Sequence, residues 1–231
     1  MITLISLIVA LLTINPSNTA NETRNVDAFK YVDVAGSITV NLIPSDEHKV
    51  DIEMLRGDSE DLITEVRSNT LKLKFKSKGF NWNGSNKNKA RIDVYYRSLE
   101  GISASAGSSV KSDNEVVADN MEIDVSSGAS VKVGFEVRAL EVDVSSGGSV
   151  KLEGETERQH VEVSSGASYT GTEFKSQECS VEASSGASVK VWVERDFEAD
   201  ASSGATIKYK GDPKNRDIDA GKYSGGSVRE M

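Results

Sequence analysis

From residue 101 onward, apolar and polar positions alternate in short bursts, and nearly the same five residues interrupt the alternation each time. Ile123 and Val125 flank Asp124, and Val142 and Val144 flank Asp143. After the interruption, Val131 and Val133 flank Lys132, as Val189 and Val191 flank Lys190. A period of two is that of a β-strand with one buried face. The interruption reads SSGAS or a close variant, with its glycine at Gly107, Gly128, Gly147, Gly166, Gly186, Gly204 and Gly225. The spacings are 21, 19, 19, 20, 18 and 21 residues. Glycine there supplies a backbone conformation that a Cβ resists, and the serines can hydrogen-bond to nearby backbone. Each unit predicts strand, tight turn, strand.

Antiparallel blades of a propeller would need units about twice this long. A near-constant short period is better explained if each unit is one coil of a helix. The fold expected is therefore all-β: a single-stranded parallel β-helix, right-handed, with coils of about twenty residues. Equivalent strands then stack ~4.8 Å apart, and only stacking buries the core.

The regular coils occupy residues 101–231, and residues 21–100 read as a less regular β part of the same domain. Alternation at Val32/Val34, Ile38/Val40/Leu42 and Val50/Ile52/Met54 predicts strands there, as it does at Leu71/Leu73/Phe75 and Ile92/Val94/Tyr96. Between them, Ser59 is placed to cap one short helix with Leu62, Ile63 and Val66 on one side. Residues 1–20 carry no charged side chain and hold an apolar run from Ile2 to Ile14, broken at Pro16. That length suits a signal-peptide core and is short for a membrane span, with Ala20 as the small residue before cleavage. No integral membrane segment is expected once it is removed.

A formal net charge of -9 argues against a nucleic-acid partner, which needs clustered Lys and Arg. The single cysteine, Cys179, rules out an intrachain disulfide and reads as a small buried residue. Stability must then come from packing, as a repeat stack provides.

The chain resembles the head GIN domain family of auto-transporter adhesins. The resemblance runs over roughly residues 26–228, through FKYVDVAGSITVNLIPSDEHKVDIEM, DLITEVRSNTLKLKFK and LEGISASAGSSVK to the SSGAS series. Gly101-Ile102-Ser103 stands at the GIN-like position, with Ser in place of Asn. The order of these segments carries the match, not any one of them. It implies an exported β-helical domain, mainly of Gram-negative bacteria, with no catalytic residues; the chain carries no β-barrel translocator to support the auto-transporter part of the name.

The repeated serines invite a nucleophile reading, but they come in series, no G-x-S-x-G elbow occurs, and only His48 and His160 could act as imidazole bases. His160 stands where other repeats carry Glu141, Ser180 or Glu198 and reads as a surface substitution. No catalytic, cofactor or metal site is expected. Asp124, Asp143, Glu162, Glu182 and Asp200 hold equivalent places before the turn, and Lys111, Lys132, Lys151, Lys190 and Lys208 after it, with Thr170 breaking the series. Stacked, they form ladders that read as solvated faces keeping the sheet soluble; calcium held by the acidic ladder is the weaker reading.

The candidate ligand surface is the polar segment around Phe80, Trp82, Asn83 and Asn86, where aromatic rings beside amides suit sugars, together with Trp192 on the outer face of a strand. The function expected is a non-enzymatic, exported adhesin or envelope-binding domain, in the periplasm, on the outer-membrane surface or outside the cell. Surface glycans or envelope proteins are its expected partners, and a homo-oligomer is possible. Two rival readings stand beside it: a self-assembling structural protein, and a carbohydrate-binding or carbohydrate-active β-helix.

Overall fold

The alternation of the repeats becomes a stack of parallel strands in the computed structural model, which describes residues 21–76, 88–221 and 225–231. The leader at 1–20 and the aromatic–amide segment at 78–89 fall largely outside the described residues. Strands β1 (Asn21–Asn25), β2 (Tyr31–Ala35), β3 (Ile38–Pro44), β4 (Lys49–Arg56), β5 (Leu62–Arg67), β6 (Thr70–Phe75) and β7 (Lys89–Tyr96) build one end. β8 (Gly101–Ser105), β9 (Ser109–Ser112), β10 (Val116–Val125), β11 (Ser130–Val144), β12 (Ser149–Val163), β13 (Ser168–Ala183), β14 (Ser188–Ala201), β15 (Thr206–Lys210), β16 (Asn215–Asp219) and β17 (Ser227–Glu230) complete one continuous sheet. The parallel β-helix predicted from the repeat is the fold observed.

Register follows the repeat. Val131 lies opposite Val150, and Val142 opposite Val161, in the β11–β12 pair. The inward residues merge into a single apolar interior running the length of the stack. Each fully buried Val or Ile contributes roughly 1.5–3 kcal/mol relative to exposure. No coil could enclose this interior alone.

The SSGAS corners are type I′ turns, and here the structure adds something the sequence did not declare. Both central residues have positive φ: Ser127 at 52° and Gly128 at 72°, and likewise Ser146/Gly147 at 50° and 71°. Ala129 N–H closes the turn on the Ser126 carbonyl at 3.0 Å. A Cβ built on Gly128 meets nothing within 4 Å, so glycine is there for its φ and not for room. Gly128 N–H donates to the Ser146 carbonyl at 3.1 Å, which staples each corner to the next.

The stacking order at the N-terminal end differs from chain order. β2 pairs with β6 on one side and β8 on the other, and β3 with β7 and β9, so the first coil lies between the second and third. Antiparallel strands then close that end: β5 on β6, β4 on β7 and β1 on β4. The expected helix is a single 3-10 turn at Ser59–Asp61, capped by Asp58 rather than Ser59, and Leu62–Arg67 is strand β5. β-branched Ile63, Thr64 and Val66 favour the strand, and positive φ at Ser68 and Asn69 turns it into a hairpin with β6.

Candidate functional site

Strands β10 to β14 are too long for one flat face, and each bends where its alternation slips. Two or three residues in a row point outward: Asp119 and Asn120, Arg138 and Ala139, Glu157 and Arg158, Gln177 and Glu178, then Glu194 to Asp196. Inward packing resumes at Met121, Leu140, Gln159, Cys179 and Phe197. Because the residues just past each slip remain paired from coil to coil, the slips stack into a groove of about 940 Å³ running along the solenoid.

Three columns make the groove. One wall is Asn120, Ala139, Arg158, Glu178, Asp196 and Asn215; the other is Glu122, Glu141, His160, Ser180, Glu198 and Asp217. The floor between them is Met121, Leu140, Gln159, Cys179, Phe197 and Arg216, and Tyr31 and Glu100 close one end. Seven carboxylates line it against two arginines and one histidine, so anions are repelled and neutral or cationic groups admitted. Glu122, Glu141 and Glu198 form no ion pair among the described residues, whereas Glu178 and Asp196 are held by Arg195. Asn215 Nδ2 and Arg195 both donate to the Asp196 carboxylate and hold it below the usual carboxylate range.

Under the floor lies a buried polar chain. Tyr169 O–H, fully buried, donates to Gln159 Oε1 at 2.7 Å; Gln159 Nε2 donates to Ser176 Oγ at 2.9 Å, and Ser176 Oγ to the Trp192 carbonyl at 2.9 Å. Burial drives the Tyr169 phenol well above its ordinary value, so it stays protonated and keeps its donor. Cys179 is buried beside it, and the same desolvation pushes its thiol far up. A thiol so protected is a packing group, not a nucleophile.

The sequence-derived sites scatter. Phe80, Trp82, Asn83 and Asn86 lie outside the described residues. Trp192 does sit on the outer face of β14, but away from the groove, with its indole N–H on Glu194 at 2.7 Å. The turn glycines run in a row along one corner. His160 lies on the groove wall, with Nε2 3.1 Å from Glu162 and no serine as partner. Its nitrogen and carboxylate oxygens of Glu162 and Glu182 lie within 4.8 Å of one another on the exposed face. Three solvated ligands from a ladder can touch a divalent cation but not enclose one.

Both ladders are observed. Asp124, Asp143, Glu162, Glu182, Asp200 and Asp219 stand in one column, and Lys111, Lys132, Lys151, Thr170, Lys190, Lys208 and Arg229 in another. The groove itself was missed. Its sequence signal was the pair of outward residues that breaks period two once per repeat.

The profile of one family, described as "Putative auto-transporter adhesin, head GIN domain", matches residues 28–213. Among solved structures, one from Bacteroides fragilis described as a putative adhesin superposes with a TM-score of 0.82 at 18% identity, covering 91% of this chain and 96% of that one. Another so described, from Parabacteroides distasonis, gives 0.72 at 19% over 91% and 96%. A third, from the same species and described as a putative lipid binding protein, gives 0.61 at 16% over 91% and 96%. These likenesses establish the fold. No curated protein matches the chain. Among the described residues no helix is long and apolar enough to cross a membrane.

Proposed function

The chain belongs to the family of the auto-transporter adhesin head GIN domain, and from that premise we propose that it is a non-enzymatic, exported binding domain whose groove holds an extended partner on the cell envelope. The observation that carries this reading is the groove: one continuous cleft to whose floor and walls each coil contributes one residue apiece. A cleft built from stacked columns extends coil by coil in ~4.8 Å steps, which suits an extended chain better than a compact metabolite. Its carboxylate surplus favours a neutral glycan or a basic peptide over sulfated or phosphorylated chains.

The non-enzymatic part rests on the company the reactive-looking groups keep. The serines are spent on turns and on Oγ–Oγ contacts between coils, such as Ser130 to Ser109 at 3.1 Å. The groove's one thiol is buried.

Ala139 is half-exposed on the groove wall, so Ala139→Arg fills the cleft without disturbing the interior. Retention of the purified domain on immobilised neutral glycans and basic peptides is expected to fall at least tenfold in Ala139→Arg and to persist in Trp82→Ala. Loss in Trp82→Ala alone would move the site to the aromatic–amide segment. Equal retention in both variants would remove the groove from the function.

A further inference from the structure

We infer that copies of this chain associate side by side, the acidic ladder of one molecule docking on the lysine ladder of the next. This inference does not use the groove, and stands or falls apart from it.

Both ladders arise from the same coils, so they share one rise. Lys132 follows Asp124 by eight residues across the turn, and the same offset joins Asp143 to Lys151, Glu182 to Lys190 and Asp200 to Lys208. Two columns with a common ~4.8 Å step can face one another charge for charge over the whole stack. Arbitrary charged patches on two proteins have no such reason to match.

Each column is poorly neutralised within its own molecule. Lys132, Lys190 and Lys208 form no ion pair among the described residues, nor do Asp143, Glu182 and Asp200. Like charges stacked this closely repel one another. At Asp124, loss of hydration first, and then the Asp143 and Glu141 carboxylates, raise the pKa, against a hydrogen bond from Ser103 that lowers it; the carboxylate share is the ladder's own repulsion. An opposed column of the other sign relieves both ladders at once.

The lysine ladder has one defect, at Thr170, while the acidic ladder keeps a carboxylate in every coil from Asp124 to Asp219, Glu162 included. The coil in which Thr170 replaces lysine is the coil in which His160 replaces glutamate beside the acidic column. The adjoining coil carries Ser180 in that second position but keeps Glu182 and Lys190. An in-register pairing, with both molecules at the same height, sets Thr170 opposite Glu162 and leaves the other levels from Asp124 onward matched charge for charge. On one side of the lysines runs a column of small hydroxyls, Ser109, Ser130, Ser149, Ser168, Ser188 and Thr206, and the lysines project beyond it.

Because the two faces differ, the contact is heterologous, and each docked molecule still presents one free face of each sign. Such contacts close into rings or grow into rows. Exposed ion pairs are individually weak and screened by salt, so the association must be strongest at low ionic strength.

The test is the solution mass of the whole chain by sedimentation at about 100 µM protein, in about 10 mM and about 500 mM salt. Species larger than one chain are expected at low salt and a single chain at high salt. Lys132→Glu/Lys190→Glu/Lys208→Glu is expected to stay monomeric, and so is Asp143→Lys/Glu182→Lys/Asp200→Lys. Mixing the two reversed proteins is expected to restore association, since each then offers the complement of the other. Lys132→Gln/Lys190→Gln/Lys208→Gln, which adds no repulsion, serves as the fold-preserving version and is also expected to be monomeric. Monomer at low salt in the native chain overturns the inference. So does association that survives in either reversed protein alone, or a mixture that remains monomeric.

Discussion

The Lys210 ammonium lies 4.0 Å from the centre of the Trp192 ring, one coil away in register, and Lys175 reaches the same ring at 5.6 Å from the coil before. The two lysines are themselves tethered, Lys175 to Glu194 at 3.8 Å and Lys210 to Glu173 at 3.7 Å. Trp192 is thus covered by charged side chains of its own chain, and its first role is to hold three coils together. Trp192→Ala should cost about 2 kcal/mol, from lost packing and cation–π contact. A lower denaturant midpoint with unchanged groove binding is the expected pair of results.

The serine at the first central turn position bears a conformation that a Cβ disfavours. Ser146 has φ 50° and an exposed side chain. Replacement by Asn, which tolerates this region, should stabilise by about 0.5–1 kcal/mol, and Ser146→Val should destabilise by about 1–2 kcal/mol. Thermal melts of the two variants give opposite signs if the turn is as described, and the same sign if it is not.

Inside the solenoid, Tyr169→Phe leaves Gln159 Oε1 without its 2.7 Å donor in a buried place. A loss of about 1–3 kcal/mol is expected. Gln159→Leu removes the partner too, so the double variant should lose less than the sum of the two single ones. A double-mutant cycle by urea denaturation measures the coupling.

Asp124 gives a pH dependence with a definite sign. Its folded pKa is raised, by loss of hydration first and by Asp143 and Glu141 next, so the folded state holds a proton more readily than the unfolded chain. The penalty is fully present at neutral pH and is relieved as pH falls through the raised value toward the ordinary carboxylate range. Melting temperature should therefore gain a modest contribution as pH falls from neutrality toward the ordinary carboxylate range, and Asp124→Asn should start higher and gain less. Since Asp143 and Glu141 act through charge, salt should mimic their part of the effect.

Legibility in the sequence tracked periodicity. Gly128 and its equivalents, Ile123 and Val125, and the Lys132 and Asp124 ladders could be read because each recurs once per coil, and a stack must repeat what it stacks. The short helix at Ser59 could not be judged the same way: its residues occur once, and pairing with β6 overrode a capping pattern. The groove lay between these cases. Its columns recur, but as mixed residues such as Ala139, Arg158 and Glu178, whose only common property is facing outward at a bend. His160 aligns with Glu141 and Glu198 and still reads as surface, because concavity is a property of stacked coils and one coil shows only a slip in its alternation.

The coil formed by β2 and β3 has neighbours on both sides that come later in the chain. A growing or emerging polypeptide cannot finish this coil until residues up to Ser112 are free to reach it. Assembly is therefore not a simple winding from first residue to last. The early strands must wait, partly paired with the antiparallel hairpins, until β8 and β9 arrive to seal them. Only then does a complete rung exist on which the regular coils can wind in order, one upon the last. Slow folding should be concentrated in that first sealing step, with its long sequence separations, and the remainder should follow as local propagation.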